Sequence, residues 1–240
     1  MIGLGTIINV GAIVIGGLCG LFLGRSVKVR YQDILMISAG ISIMMLGIGG
    51  TMEEMLSVQV GNIVSGGSMM MIITMASGAL IGEWMDIEGK MEHFGIWLKQ
   101  KTGSSGDHAF VDAFVTCSLT VCIGAMAIVG SIKDGIYGDY SILAAKAILD
   151  LIIVFVMTVS MGKGCVFSAI PVGIFQGVIT ILARLIQPLM TEAALSNLSL
   201  VGSIMIFCVG LNLVFGKKVK VANFLPAIVL AVAWSFAPWA

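Results

Sequence analysis

Charge is what this sequence has least of. Among 240 residues, 13 Lys and Arg face 13 Asp and Glu, 11% charged in all, where a soluble domain carries roughly 25%. So thin a supply cannot cover a water-facing surface. The net charge of zero leaves no electrostatic footprint for nucleic acid. Cysteine offers no framework either. Cys19, Cys117, Cys122, Cys165 and Cys208 all fall in apolar segments, and none forms a C-x2-C pair, which argues against disulfide scaffolding or a zinc site. Serine, cysteine and metal hydrolase motifs are missing, and the two histidines, His93 and His108, lie in one loop far along the chain from any buried acid. No enzyme, metal or cofactor is expected. No basic region precedes the first apolar run, so that run reads as an uncleaved helix rather than a signal peptide.

What the chain has in abundance is apolar sequence. It is 58% hydrophobic with a mean hydropathy of +1.08, in runs close to the twenty residues that cross a hydrocarbon core. The predicted fold class is an all-α polytopic membrane protein, one transmembrane domain over 1–240. About eight spans are expected, at 4–24, 34–50, 63–82, 110–130, 141–162, 165–185, 197–215 and 221–239. The second is short and glycine-ended, hence full-length or re-entrant. With the N-terminus outside, the inner loops collect Arg25, Lys28, Arg30, Lys90, Lys99, Lys101, Lys163, Lys217, Lys218 and Lys220. The outer loops keep Lys133 and Arg184. That excess marks the cytoplasmic side, so both termini are predicted to face outward.

The largest loop, 83–107, is predicted to lie inside as an amphipathic helix. Trp84, Ile87, Met91, Phe94 and Leu98 make one apolar stripe, suited to the membrane surface or the underside of the bundle. Residues 102–106 read as a flexible link.

Two glycine patterns recur. Cys122-Ile-Gly124 followed by Gly130 matches Cys208-Val-Gly210 followed by Gly216, and Gly20–Gly24 matches Gly78–Gly82. Spans three to five and six to eight therefore read as related units, with spans one and two a partial copy. Three spans per unit makes the relation an inverted repeat, an architecture found in secondary transporters. Gly16, Gly20 and Gly24 leave one helix face bare, fit for close helix packing or for contact with another copy of the chain.

An ionisable group within a span is costly and reads as functional by default. Lys146 and Asp150, one turn apart on span five, share a face and can pair. At 1.5 Å per residue, Asp150 lies about 15 Å from the outer end, near mid-membrane. One reading is a salt bridge that fixes helix packing. The other makes Asp150 a cation or proton site with Lys146 as its internal counter-ion. Gln176 and Thr180 on span six and Thr116, Ser118 and Thr120 on span four reach similar depths, and Asn9 lies toward the outer side of span one. Asn212, Asn223 and Ser168 gather toward the inner side. Pro171 frees a carbonyl one turn earlier in span six. The seventeen methionines read as adaptable apolar packing.

Several stretches resemble the YqgA-like family, bacterial inner-membrane proteins called domain of unknown function 554. They are Phe114-Val-Thr-Cys-Ser-Leu-Thr-Val-Cys-Ile-Gly-Ala-Met-Ala-Ile-Val-Gly-Ser-Ile-Lys-Asp-Gly135, Gly138-Asp-Tyr-Ser-Ile-Leu143 leading to Lys146 and Asp150, Gly5-Thr-Ile-Ile-Asn9, Phe167-Ser-Ala-Ile-Pro171, Gln176-Gly-Val-Ile-Thr180, Gly210-Leu-Asn212 and Val221-Ala-Asn-Phe-Leu-Pro226. The sequence departs from the family pattern at Ala113, before Phe114, and at Leu151, after the Asp. The resemblance covers essentially the whole chain and implies a bacterial cytoplasmic-membrane protein. It implies no particular activity. From the residues alone, three functions stay open: a transporter for a small ion or polar solute, an ion channel lined by the same polar groups, and a non-transporting scaffold that recruits a partner through the inner amphipathic helix.

Overall fold

The computed structural model describes residues 1–24, 27–59, 62–103, 109–123 and 125–237. In order these form α1 (Leu4–Gly24), α2 (Val29–Met55), a hairpin of β1 (Leu56–Gln59) and β2 (Asn62–Ser65), α3 (Ser68–Met85), α4 (Ile87–Lys101), α5 (Phe110–Cys122), α6 (Ala125–Tyr137), α7 (Ser141–Met161), α8 (Ala169–Ile181), α9 (Ala183–Ile186), α10 (Glu192–Phe215) and α11 (Leu225–Trp234). Short 3-10 turns, Lys163–Ser168 and Val221–Phe224, lead into α8 and α11. Six helical segments are long and apolar enough to cross a membrane. Helices α5 and α6, whose axes differ by 62°, make a seventh if taken as one broken span, and Val221–Trp234 is apolar but shorter. The chain is a helical polytopic membrane protein.

Its exterior is the apolar part. On α7, Ile148, Leu149 and Ile152 are exposed, whereas Lys146 and Asp150 are buried. Lipid is as apolar as leucine, so turning aliphatic side chains outward costs nothing there, and helices associate through packing and polar contacts. Glycine supplies the closest packing. A Cβ on Gly16 of α1 would sit 2.5 Å from the Leu151 carbonyl oxygen of α7, and one on Gly47 of α2 would sit 2.5 Å from the Phe207 nitrogen of α10. Each of these pairs therefore runs backbone against backbone. The glycine face of α1, read as fit for close helix packing, is covered by α7 of the same chain.

Several element boundaries differ from the sequence expectation. Span two is no short or re-entrant segment but a helix of 27 residues. Its polar ends were taken for loop, yet Gln32 and Glu54 there find partners. Gln32 donates to the Gly24 and Val27 carbonyls at 3.0 and 3.1 Å, and Ser196 donates to Glu54 at 2.6 Å. Span three starts later than residue 63, because Ile63 pairs with Val58 in the hairpin. The helix opens after Gly67 (φ 76°), two residues past the end of the strand at Ser65. Span four breaks: Ile123 adopts extended backbone (φ −80°, ψ 127°), which stops α5. Cys122 thus ends a helix, whereas Cys208 and Gly210 lie inside the continuous α10, so the two Cys-x-Gly patterns occupy different local structures. Gly124, Arg25, His108, most of the 102–106 link and Trp239 lie outside the described residues.

The loop helix is α4, separated from α3 by a turn at Asp86 (φ 48°) that also caps α4 through Gly89. Trp84 consequently stands on α3, largely exposed, and does not continue the stripe. Leu98 is buried, and Phe94 meets Phe114 of α5 edge to face. Helix α4 is docked on the bundle.

Candidate functional site

Helix α7 buries one face, with Leu143, Lys146, Ala147, Asp150, Val154 and Met157 recurring every three or four residues. The helix thereby carries two charges into the protein interior. Lys146 Nζ donates to Asp150 Oδ1 at 2.7 Å and Oδ2 at 2.8 Å. Its third donor reaches the Val121 carbonyl at 2.9 Å. That acceptor exists because α5 stops one residue later, leaving last-turn carbonyls with no amide further along the helix. Asn9 of α1 donates its amide to Asp150 Oδ2 at 2.9 Å. The ammonium is fully satisfied and the carboxylate accepts from two side chains, as a buried ion pair requires to offset several kcal/mol of desolvation per ion. Cys122 lies within electrostatic reach of both charges.

A second set of buried polar groups lies toward the start of α1. Asp134 of α6 is wholly buried, with Oδ2 accepting the Gly5 amide at 3.0 Å. It was missed at the sequence level, where span four stopped at Gly130 and Asp134 was read with Lys133 as loop. The signal was there: Ala127, Gly130, Ser131 and Asp134 fall at i, i+3, i+4 and i+7, one helical face, and all four are buried while Lys133 is exposed. Across from this face stand Gln176 and Thr180 of α8, 1% and 6% exposed. Both amide atoms of Gln176, and the hydroxyls of Thr180, Ser131 and Thr6, have no hydrogen-bond partner among the described residues, nor does Asp134 Oδ1. Buried polar atoms are rarely left so.

From the lysine-rich end a cavity of about 200 Å³ enters between α5 and α10. Asp112, Val115, Thr116 and Leu119 line it from one face of α5, and Asn212, Glu88 and Lys217 line its polar mouth. The same face of α5 continues one turn past Leu119 to Cys122, beside the ion pair. Leu119 is the last residue of α5 in the lining, one turn before Cys122.

The remaining sequence candidates have local duties. Ser118 donates to the Phe114 carbonyl of its own helix at 2.6 Å, and Thr120 to that of Thr116 at 2.8 Å. Ser168 donates to the Cys165 carbonyl at 2.7 Å. Asn212 holds the 217–219 loop, accepting from Lys218 and Val219 and donating to the Val219 carbonyl. Asn223 accepts from the Glu88 amide at 2.8 Å and donates to Glu83 at 2.7 Å. Glu88, buried, also accepts the Ala222 amide at 3.0 Å and pairs with Lys217 at 2.9 Å. These bonds latch α4 to the turn before α11, away from the ion pair. Burial pulls the Lys217 pKa down, but the Glu92 and Glu88 carboxylates outweigh it and hold Lys217 above the usual lysine value. Glu83 raises Lys220 likewise. Among the described residues no three His, Cys, Asp or Glu side chains gather as a metal site.

The chain is similar along nearly all its length to two bacterial proteins. It is 27% identical over 226 residues to "Uncharacterized membrane protein YdfK" of Bacillus subtilis (strain 168), covering 94% of this chain and 93% of that one. It is 27% identical over 241 residues to "Uncharacterized protein YqgA" of Escherichia coli (strain K12), covering 98% and 97%. No solved structure matches. The family model described as "Protein of unknown function (DUF554)" matches residues 4–236, which include both buried polar groups, and the chain belongs to that family.

Proposed function

We propose that this protein is a transporter of a small ion or polar solute in the bacterial cytoplasmic membrane, with Lys146, Asp150 and Asn9 at its centre. The observation that carries the reading is the placement of the ion pair at a break in a span. A continuous α5–α6 helix would use the Val121 carbonyl itself, whereas the break aims it at Lys146. Broken spans whose freed carbonyls and side chains meet at mid-membrane are how carriers build ion and solute sites. Polar access from the lysine-rich end reaches Thr116 and stops at Leu119, and unpartnered polar groups lie beyond the pair. Such an arrangement suits a carrier in an occluded state, in which Lys146 occupies the carboxylate that substrate or coupling ion would claim. A channel fits less well, since among the described residues the α5 lining of this cavity ends at Leu119. The scaffold reading keeps only part of its surface, because Leu98 is buried and Phe94 packs on Phe114, while Ile96 and Trp97 of α4 stay exposed. A helical bundle belongs to the cytoplasmic membrane, whereas outer-membrane spans are β-barrels. The reading does not depend on the inverted repeat.

Purified protein in liposomes, loaded in turn with alkali cations, protons and small polar solutes, should move at least one of them saturably. Asp150→Asn should stop that flux while the protein remains folded. Full flux in the variant removes Asp150 from the mechanism.

A further inference from the structure

The ion pair is closed on itself, but the second buried acid is not. Asp134 makes no ion pair among the described residues, and its one hydrogen bond there is from the Gly5 amide. Helices α6 and α8 are separated by a single pass, so they run in the same direction. They touch where Gly135 meets the Thr180 backbone, so closely that a Cβ on Gly135 would collide with it. One turn earlier on each helix brings Ser131 level with Gln176. Helix α1 packs on both, with Gly5 against Asp134 and Val10 against Gly173. Between the three helices, then, lie one carboxylate oxygen, an amide and the hydroxyls of Ser131, Thr180 and Thr6, all at least nine-tenths buried and all without a partner.

We propose that Asp134, Ser131, Gln176 and Thr180 form a binding site for a hard monovalent cation, sodium or a proton, separate from the Lys146–Asp150 pair. One anionic oxygen with neutral hydroxyl and amide oxygens matches a hard cation by ligand type, and a single carboxylate neutralises a single positive charge. Gly135 matters because a side chain there would collide with the Thr180 backbone and hold α8 away from the helix that carries Asp134. The elements packed against α6 carry Lys146 and Asp150 on α7, Arg184 on α9 and Glu192 on α10; Lys133 and Tyr137 lie on α6, Asp139 and Tyr140 just past it, and near its end lies the Met1 amino group. The last lies 3.7 Å from where a Gly138 Cβ would be. None of the cationic groups makes an ion pair with Asp134 among the described residues, and Lys133, Tyr137 and Arg184 are exposed. The site's role as the coupling site rests on the transport reading; its existence does not.

The test uses the full-length protein in lipid nanodiscs. Thermal unfolding is followed as sodium chloride replaces choline chloride at constant ionic strength, with radioactive sodium binding measured in parallel and a pH series in choline alone. Sodium should stabilise the wild type saturably, and Asp134→Asn should weaken binding about tenfold or more, equivalent to 1.4 kcal/mol. Asparagine keeps an oxygen for the Gly5 amide, so this variant retains the contact to α1. A pH response without a sodium response, lost in Asp134→Asn, assigns the site to a proton. Thr180→Val and Gln176→Leu, with the acid intact, should each weaken sodium binding or shift the pH response. The paired replacement Lys146→Met with Asp150→Leu should abolish flux yet keep ion binding, which separates the two claims. Unaltered sodium and pH responses in Asp134→Asn overturn the proposal, as do unaltered responses in both α8 variants. Loss of ion binding in the Lys146/Asp150 variant overturns the separateness of the site.

Discussion

Removing one partner of the Lys146–Asp150 pair should cost far more than removing both. The two side chains are 9% and 3% exposed, so water screens neither charge. Lys146→Met deletes both bonds to the carboxylate and the bond to the Val121 carbonyl, leaving a buried anion with the Asn9 amide. Stranding a buried charge in this way costs about 3–5 kcal/mol. Exchanging both members for apolar residues, Lys146→Met matched in length and Asp150→Leu in branching, removes the desolvation penalty with the attraction and is expected to cost less than the single loss, with some overpacking at position 150. The coupling between the two sites should therefore be several kcal/mol and opposite in sign to the single losses. Unfolding of the purified protein in mixed micelles, followed by tryptophan emission, measures all four corners of the cycle, and liposome flux is read on the same samples. A cost below about 1 kcal/mol for Lys146→Met would mean that water reaches the pair, refuting the dry-contact argument. A double variant that is stable and still transports would reduce the pair to architecture.

Three further outcomes are expected. Gly47→Ala should destabilise the protein by about 1–3 kcal/mol through overpacking against Phe207, whereas Gly49→Ala, with open space around it, should be neutral or stabilising; thermal midpoints decide. Because the Lys217 pKa is raised in the folded state, its stabilising contribution is complete below the ordinary lysine value of about 10.4 and fades as pH climbs through the higher folded one. Emission from a variant retaining only Trp97 on α4 should accordingly stay constant across neutral pH and change only in strong alkali, and Lys217→Met should abolish that change. Leu119→Ala should speed modification of Cys122 by a small thiol reagent in a background where Cys122 is the sole cysteine; an unchanged rate would show that Leu119 is not the barrier.

The spans were readable because lipid imposes one rule on every helix: twenty apolar residues between charges. Lys146 and Asp150 stood out by the same rule, as charges inside such a run. Where the rule misled, charge was taken as the end of a helix although another segment satisfied it. Glu54 is met by Ser196, 142 residues away, and Asp134 by the Gly5 amide, 129 residues away. Neither partner is visible locally. Periodicity, rather than hydropathy, would have kept Asp134 inside. The break at Ile123 carries no proline, and its consequence, a carbonyl offered to Lys146, appears only once α5 and α7 are side by side. Asn212 and Asn223 stand out in the sequence as polar residues near apolar runs; both tie down turns, and Asn212 also lines the cavity mouth, placements that only the backbone path reveals.

Backbone-to-backbone seating of α1 on α7, and of α2 on α10, has a mechanical corollary. Main chains in such contact have no side-chain layer to shear, so each couple moves as one beam. The compliant seam runs where the couples meet, along the shallow trough between Leu35–Leu46 of α2 and Ile152–Met157 of α7. Tilting the α2–α10 beam about that seam would widen or pinch the opening beside α5 without disturbing the charges carried on the other beam.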